Sequence, residues 1–139
     1  MNGSADLDGE YDYIIVGAGS AGCVVANRLS ESGKRRVLLL EAGGRDNWIW
    51  FHIPVGYLFA IGNPRSDWMF ETVTEPGLNG RKLNYPRGKV LGGSSAINAM
   101  ISMRGQAGDY DHWKSLGLPG WGWEDVLPVF RRIEDHFLG

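Results

Sequence analysis

Apolar residues at the start of the chain change their spacing twice within thirty positions. Tyr11-Asp12-Tyr13-Ile14-Ile15-Val16 is a short aromatic and β-branched run, the composition of a buried parallel strand. Beyond a glycine turn, Ala21, Val24, Val25 and Leu29 recur at helical spacing, and Gly33 followed by Lys34, Arg35 and Arg36 supplies a stop and favourable C-terminal charge. A second unbroken run, Val37-Leu38-Leu39-Leu40, ends at Glu41. The pattern predicts a β-α-β unit whose helix starts at Gly17-Ala18-Gly19-Ser20-Ala21-Gly22.

The later pattern is less regular. Trp48 to Ile61 is dense in aromatic and aliphatic residues broken by Pro54 and Gly56, which predicts a covered connection with lid-like parts across positions 46–66. Trp68 to Thr74 alternates as a strand, Pro76-Gly77 and Asn79-Gly80 mark turns, and Arg81 to Tyr85 is its expected hairpin partner. A second glycine and serine turn follows at Gly92-Gly93-Ser94-Ser95. Asp109 and Asp111 fit a helix start, and Trp123 to Phe137 predicts an amphipathic helix with Val126, Leu127, Phe130, Ile133 and Phe137 on one side.

The first turn has the chemistry of a dinucleotide cradle. Gly17 permits the tight turn, Gly19 lets the backbone approach a pyrophosphate, and Gly22 lets helix and strand pack closely. Unpaired N–H groups at the helix start, around Ser20 and Ala21, face the phosphates. Glu41 can accept hydrogen bonds from both hydroxyls of an adenosine ribose and repels a phosphate there, and the small Ala42 leaves room for the sugar. FAD and NAD both place an ADP half in such a cradle, so this turn leaves the choice open. The second turn could form another anion nest, with Arg87 and Lys89 nearby. It lacks the ending of a P-loop and the Gly-x-Ser-x-Gly elbow of a serine hydrolase.

Composition adds bounds. A complete oxidoreductase normally needs more than 139 residues, so a part of a larger enzyme is expected. The net charge of −2 and the absence of a basic block argue against a nucleic-acid partner. Cys23 is the single cysteine; it excludes an internal disulfide, is expected to pack against the sheet, and favours a reducing compartment. Positions 1–10 form a polar leader without the features of a signal peptide, and no stretch is long enough to span a bilayer. A cytoplasmic location is expected.

With both turns in view, the chain resembles the amino-terminal part of the glucose-methanol-choline (GMC) oxidoreductases, FAD-dependent alcohol dehydrogenases and oxidases. The resemblance runs from Tyr11-Asp12-Tyr13-Ile14-Ile15-Val16-Gly17-Ala18-Gly19 through Leu40-Glu41-Ala42-Gly43 to Arg87-Gly88-Lys89-Val90-Leu91-Gly92-Gly93-Ser94-Ser95-Ala96-Ile97-Asn98. It continues in Arg104-Gly105, Asp109-Tyr110-Asp111, Trp113, Gly120-Trp121 and Asp125-Val126-Leu127-Pro128. It implies an α/β, Rossmann-like FAD-binding domain over positions 11–139, incomplete on its own. The cofactor it implies is FAD. Gly17, Gly19, Ser20, Ala21, Gly22, Glu41 and Ala42 would hold the ADP half, while Arg87, Val90, Gly93, Ser94, Asn98, Ala99, Met100 and Ile101 would lie along the flavin and its pyrophosphate.

Two departures qualify the resemblance. Members that attach the flavin covalently do so through a His before the signature Asn, and here that position is Ile97; the FAD is expected to be non-covalent. The family's catalytic His and its partner lie near the end of a much longer chain, so no catalytic residue is assigned here. His52, His112 and His136 match no catalytic motif, and no metal site is assigned. The expected reaction oxidises the CH–OH group of an alcohol by hydride transfer to flavin N5, with oxygen or another acceptor taking the electrons. The remainder of the enzyme, as a separate polypeptide, is the expected partner. The alternatives are a lyase or decarboxylase of the same family, and a non-catalytic ADP- or FAD-binding fragment.

Overall fold

A computed structural model describes residues 9–134, and the chain divides into two units, Met1–Met100 and Ile101–Gly139. In the first, strand β1 (Tyr13–Val16) pairs in parallel with β2 (Val37–Leu40), Tyr13 opposite Val37 and Val16 opposite Leu40. Helix α1 (Ser20–Ser30) is the crossover between them. The strand begins two residues later than its apolar run because the Asp12 carboxylate accepts the Arg36 N–H at 2.7 Å and the Asp12 N–H donates to Arg36 O at 2.9 Å. The helix stops as its sequence predicts: Gly33 is left-handed at φ +64° and donates its N–H to Ser30 O.

Two expectations need correction here. The apolar run of β1 is not buried: Ile14 is 60% and Val16 84% exposed, because β1 has a strand neighbour on one side only. Cys23 is also exposed. About 100° of helical rotation separates it from Gly22, and Gly22 is the position turned onto β1, where an added Cβ would lie 1.9 Å from Gly17 O. The Cys23 thiol instead donates to Ala18 O at 3.3 Å.

The small core of this unit is built from Ala60, Val90 and Ile97, with Trp48, Phe51 and Ala96 packed around it. The aromatic connection supplies half of it by folding into two 3-10 turns, Ile49–Phe51 and Pro54–Gly56, followed by the single-turn helix α2 (Tyr57–Ala60). The expected hairpin forms as β3 (Phe70–Glu71) antiparallel to β4 (Asn84–Tyr85), far shorter than its alternating run. Met69 at φ +59° interrupts the pleat on one side. On the other, the Thr72 hydroxyl oxygen accepts the Leu83 N–H and itself donates to Val73 O, displacing regular main-chain pairing.

The second unit contains α3 (Ala107–Ser115) and α4 (Trp123–Ile133). Asp109 accepts the Gln106 N–H at the start of α3, the capping role expected of it, and Asp111 Oδ1 accepts the Trp123 N–H at 3.0 Å, which ties α3 to the first turn of α4. Val126, Leu127 and Phe130 are half-buried on one side of α4, and the Phe130 ring meets Tyr110 edge-on at 5.9 Å between centroids. The helix ends at Ile133, short of the expected Phe137, because the backbone turns extended at Glu134 (φ −92°, ψ 124°); positions 135–137 of the expected helix lie outside the described residues, as do positions 1–8 of the polar leader.

Candidate cofactor-binding site

The β-α-β turn opens into a cleft of about 440 Å³. Of the residues expected to bind a cofactor, Gly17, Gly19, Glu41, Ala42 and Gly93 line it. Val16, Leu40, Trp68 and Gly88 line it as well, and the sequence pattern does not single those out. A different cavity, about 330 Å³, lies in the second unit against Tyr110, Trp121, Val126 and Phe130, and its walls are almost entirely apolar. Asp125 also lines this cavity, but it caps its own helix by accepting the Gly122 N–H, whereas the first cleft joins an acid to the uncapped start of α1.

The floor of the cleft is set by Glu41. Its Oε2 accepts the Ala18 N–H at 2.8 Å and its Oε1 accepts the Gly43 N–H at 2.9 Å. Each oxygen keeps a second lone pair, so the carboxylate is oriented by the chain while still able to accept from a ligand hydroxyl. Gly17, at φ +97°, donates its N–H to Leu40 O at 2.7 Å and bends the backbone over the strand ends. Ser20, Ala21 and Gly22 form the first turn of α1. That helix has no side-chain cap and no acid in its first turn, whereas α4 carries Glu124 and Asp125 there. The positive end of α1 is therefore left for an anion.

The two glycine stretches meet. Gly19 and Gly92 form a parallel bridge, as do Gly44 and Val90, with Gly92 N–H donating to Ala18 O at 2.8 Å and Leu91 N–H to Gly44 O at 2.9 Å. Side chains are excluded at this seam: a Cβ on Gly43 would lie 2.0 Å from Lys89 O, and one on Gly93 would lie 2.8 Å from the Gly19 Cα. In the second turn the N–H groups of Gly92, Gly93 and Ser95 donate to carbonyls of the chain, and Gly93 both packs against Gly19 and lines the cleft.

The remaining expected residues are placed in several ways. Val90 is buried in the core beside Ile97, so only its main chain is available to a ligand. Ser94 Oγ accepts the Gly88 N–H, and Asn98 Oδ1 accepts the Met100 N–H. The Arg87 guanidinium donates to Pro86 O and lies over the Tyr85 ring at 3.9 Å. Ala99 is exposed, and Ile101 belongs to the second unit. His52 and His112 are exposed, while His136 lies outside the described residues.

One residue beside the cleft carries no sequence signal at all. Asp67 is 3% exposed, and its carboxylate accepts the N–H groups of Gly62 at 2.8 Å and of Met69 and Arg87 at 3.0 Å each. Burial works to raise its pKa, but donation from Gly62, Arg87, Met69 and Trp68 outweighs that and holds it below the ordinary aspartate value.

The model of the GMC oxidoreductase family matches residues 11–138. The chain belongs to the GMC oxidoreductase family. It is 55% identical over 129 residues to an oxygen-dependent choline dehydrogenase of Vibrio vulnificus (strain YJ016), a match covering 93% of this chain and 23% of that protein. Its fold superposes with a TM-score of 0.86 on the crystal structure of pyridoxine 4-oxidase from Mesorbium loti, at 42% identity, covering 94% of this chain and 26% of that one. An FAD-dependent oxidoreductase from Chaetomium thermophilum matches with a TM-score of 0.71 at 36% identity, over 87% of this chain and 20% of its own. The GMC chain thus spans about a quarter of the length of such relatives, and it is an incomplete Rossmann-like FAD-binding domain. Among the described residues no helix is long and apolar enough to cross a membrane.

Proposed function

We propose that the first unit holds the ADP half of FAD in its cleft, within an enzyme that oxidises the CH–OH group of an alcohol to a carbonyl. Gly19 carries this reading. Its φ of −83° is open to any residue, and a Cβ there would meet only the Gly93 Cα at an ordinary 3.8 Å. Neither conformation nor packing within the chain calls for glycine, which leaves close approach of a ligand backbone as the physical reason. The uncapped α1, the oriented Glu41 and the cleft between them fit a pyrophosphate and ribose.

Bound FAD supplies a hydride acceptor at N5. This chain's own part is to bind and orient: α1 faces the phosphates, Glu41 takes ribose hydroxyls, and Trp68 walls the cleft. The remainder of the enzyme supplies the base that takes the hydroxyl proton, and it delivers the electrons to oxygen or another acceptor. Relatives named as a choline dehydrogenase and a pyridoxine 4-oxidase support alcohol oxidation. Non-covalent attachment is supported by Ile97, whose side chain is an alkyl group 3% exposed within the core and offers no nucleophile.

Acid precipitation of the purified enzyme that contains this chain tests the reading. Yellow flavin released into the supernatant is the expected result, and colour retained in the pellet would overturn the non-covalent assignment. A colourless preparation would overturn the cofactor assignment itself. Reduction of an artificial acceptor dye by a simple alcohol separates oxidation from a lyase reaction, which would leave the dye oxidised.

A further inference from the structure

Asp67 ties its own loop, through Gly62 after α2 and Met69 before β3, to the distant Arg87 before the second glycine turn. Main-chain pairing reinforces the junction, with Trp68 N–H donating to Arg87 O at 2.9 Å, Lys89 N–H to Ser66 O at 2.7 Å, and Asp67 bridged antiparallel to Gly88. The residues immediately following two of these anchor points, Trp68 after Asp67 and Gly88 after Arg87, both line the cleft. Met69 holds the left-handed conformation at φ +59°, unfavourable for a side chain of its kind, and the Asp67 Oδ1 accepts its N–H. Without that acceptor the backbone on the far side of Trp68 has a reason to relax toward the β region and carry the indole with it.

We propose that Asp67 is a positioning residue of the cofactor cleft, acting through Trp68: its carboxylate fixes the turn at Met69 and so holds the indole as a wall against the bound nucleotide. The inference rests on the cofactor reading above. Trp68 is braced on its other sides by Phe70, parallel at 5.8 Å between centroids, and by the Lys89 ammonium, 4.6 Å from its ring centre. Neither brace controls the turn at Met69, which falls to Asp67.

The test is a double-mutant cycle on the apoenzyme that contains this chain, titrated with FAD and followed by quenching of flavin fluorescence. Asp67→Ala, which removes the Oδ1 acceptor of the Met69 N–H, should weaken FAD about tenfold, the scale of one lost hydrogen bond to a charged acceptor. Trp68→Leu should also weaken it, and the double substitution should bind FAD no more weakly than Trp68→Leu alone. Independent, additive losses would overturn the proposal, as would unchanged affinity in Asp67→Ala. Should Asp67→Ala fail to fold, adding Met69→Gly supplies a residue at ease at positive φ; recovery of both fold and affinity supports the proposal, and recovery of fold with affinity still lost overturns it. Failure of the cofactor reading is seen separately, as absence of FAD binding by the unsubstituted apoenzyme.

Discussion

Gly19 and Gly22 lie three residues apart in one motif and answer to different physics. A methyl group on Gly22 would press 1.9 Å from Gly17 O, main chain against main chain. Gly22→Ala is therefore expected to cost about 1–3 kcal/mol of stability, visible as a lowered melting temperature of the apoenzyme. Gly19→Ala meets nothing closer than 3.8 Å; it should leave that temperature unchanged and weaken FAD binding, measured by the same fluorescence titration. Asp67 sets an acid limit at this scale. Its folded pKa lies below the ordinary 3.8, so its stabilising effect is fully present above that value and is lost as pH falls through the lowered folded value. Acid melts should show a falling limb below about pH 4, and Asp67→Asn should flatten it while lowering stability near neutrality. The glycines were legible as a motif. Asp67 was not, because its role consists of three backbone partners up to twenty residues away.

Helix α1, unlike α3 and α4, leaves its N-terminus bare of acid and cap. Ser20→Asp should help the isolated helix by about 0.3–1 kcal/mol through the helix dipole and at the same time weaken FAD, since the new carboxylate competes with the phosphates. Opposite signs in a thermal melt of the apoenzyme and in the FAD titration are the expected outcome; a parallel change would argue that the helix end does not meet the anion. Helix α4 depends on its neighbour instead. Asp111→Ala removes the acceptor of the Trp123 N–H and should cost about 0.5–2 kcal/mol, read as a shift in the denaturation midpoint. Elements with strong periodicity, β1, α1, β2 and α4, fall close to where their patterns place them. The hairpin does not, because alternation in Trp68 to Thr74 carries no trace of the left-handed Met69 or of the Thr72 hydroxyl that takes over a ladder bond.

As a whole the described chain exposes far more apolar surface than it buries. Ile14, Val16, Ile101 and Met103 all stand largely open, and the first unit's core comprises only a few side chains. The chain spans about a quarter of the relatives' length, and under the proposed function that surface is covered by the rest of the enzyme. The 139-residue chain alone is expected to bind a hydrophobic dye and to melt without a sharp transition, whereas the enzyme containing it melts cooperatively. Saturating FAD should raise that enzyme's stability by about 2.7 kcal/mol at a hundredfold excess over Kd.

Local signals alone determined the β-α-β unit, its glycine turn, the acid at the end of β2 and the family the chain belongs to, because strand and helix periods, turn residues and charge at helix ends act over only a few neighbouring positions. Tertiary structure decided which glycines serve the seam between the two turns and which face the cleft, where the N–H groups of Gly92, Gly93 and Ser95 are spent, why Val90 and Ile97 point into the core, and how Asp67 and Trp68 come to stand beside a nucleotide site. Each of those depends on backbone segments that meet only after the chain has folded, and a meeting of that kind leaves no period or spacing in the sequence.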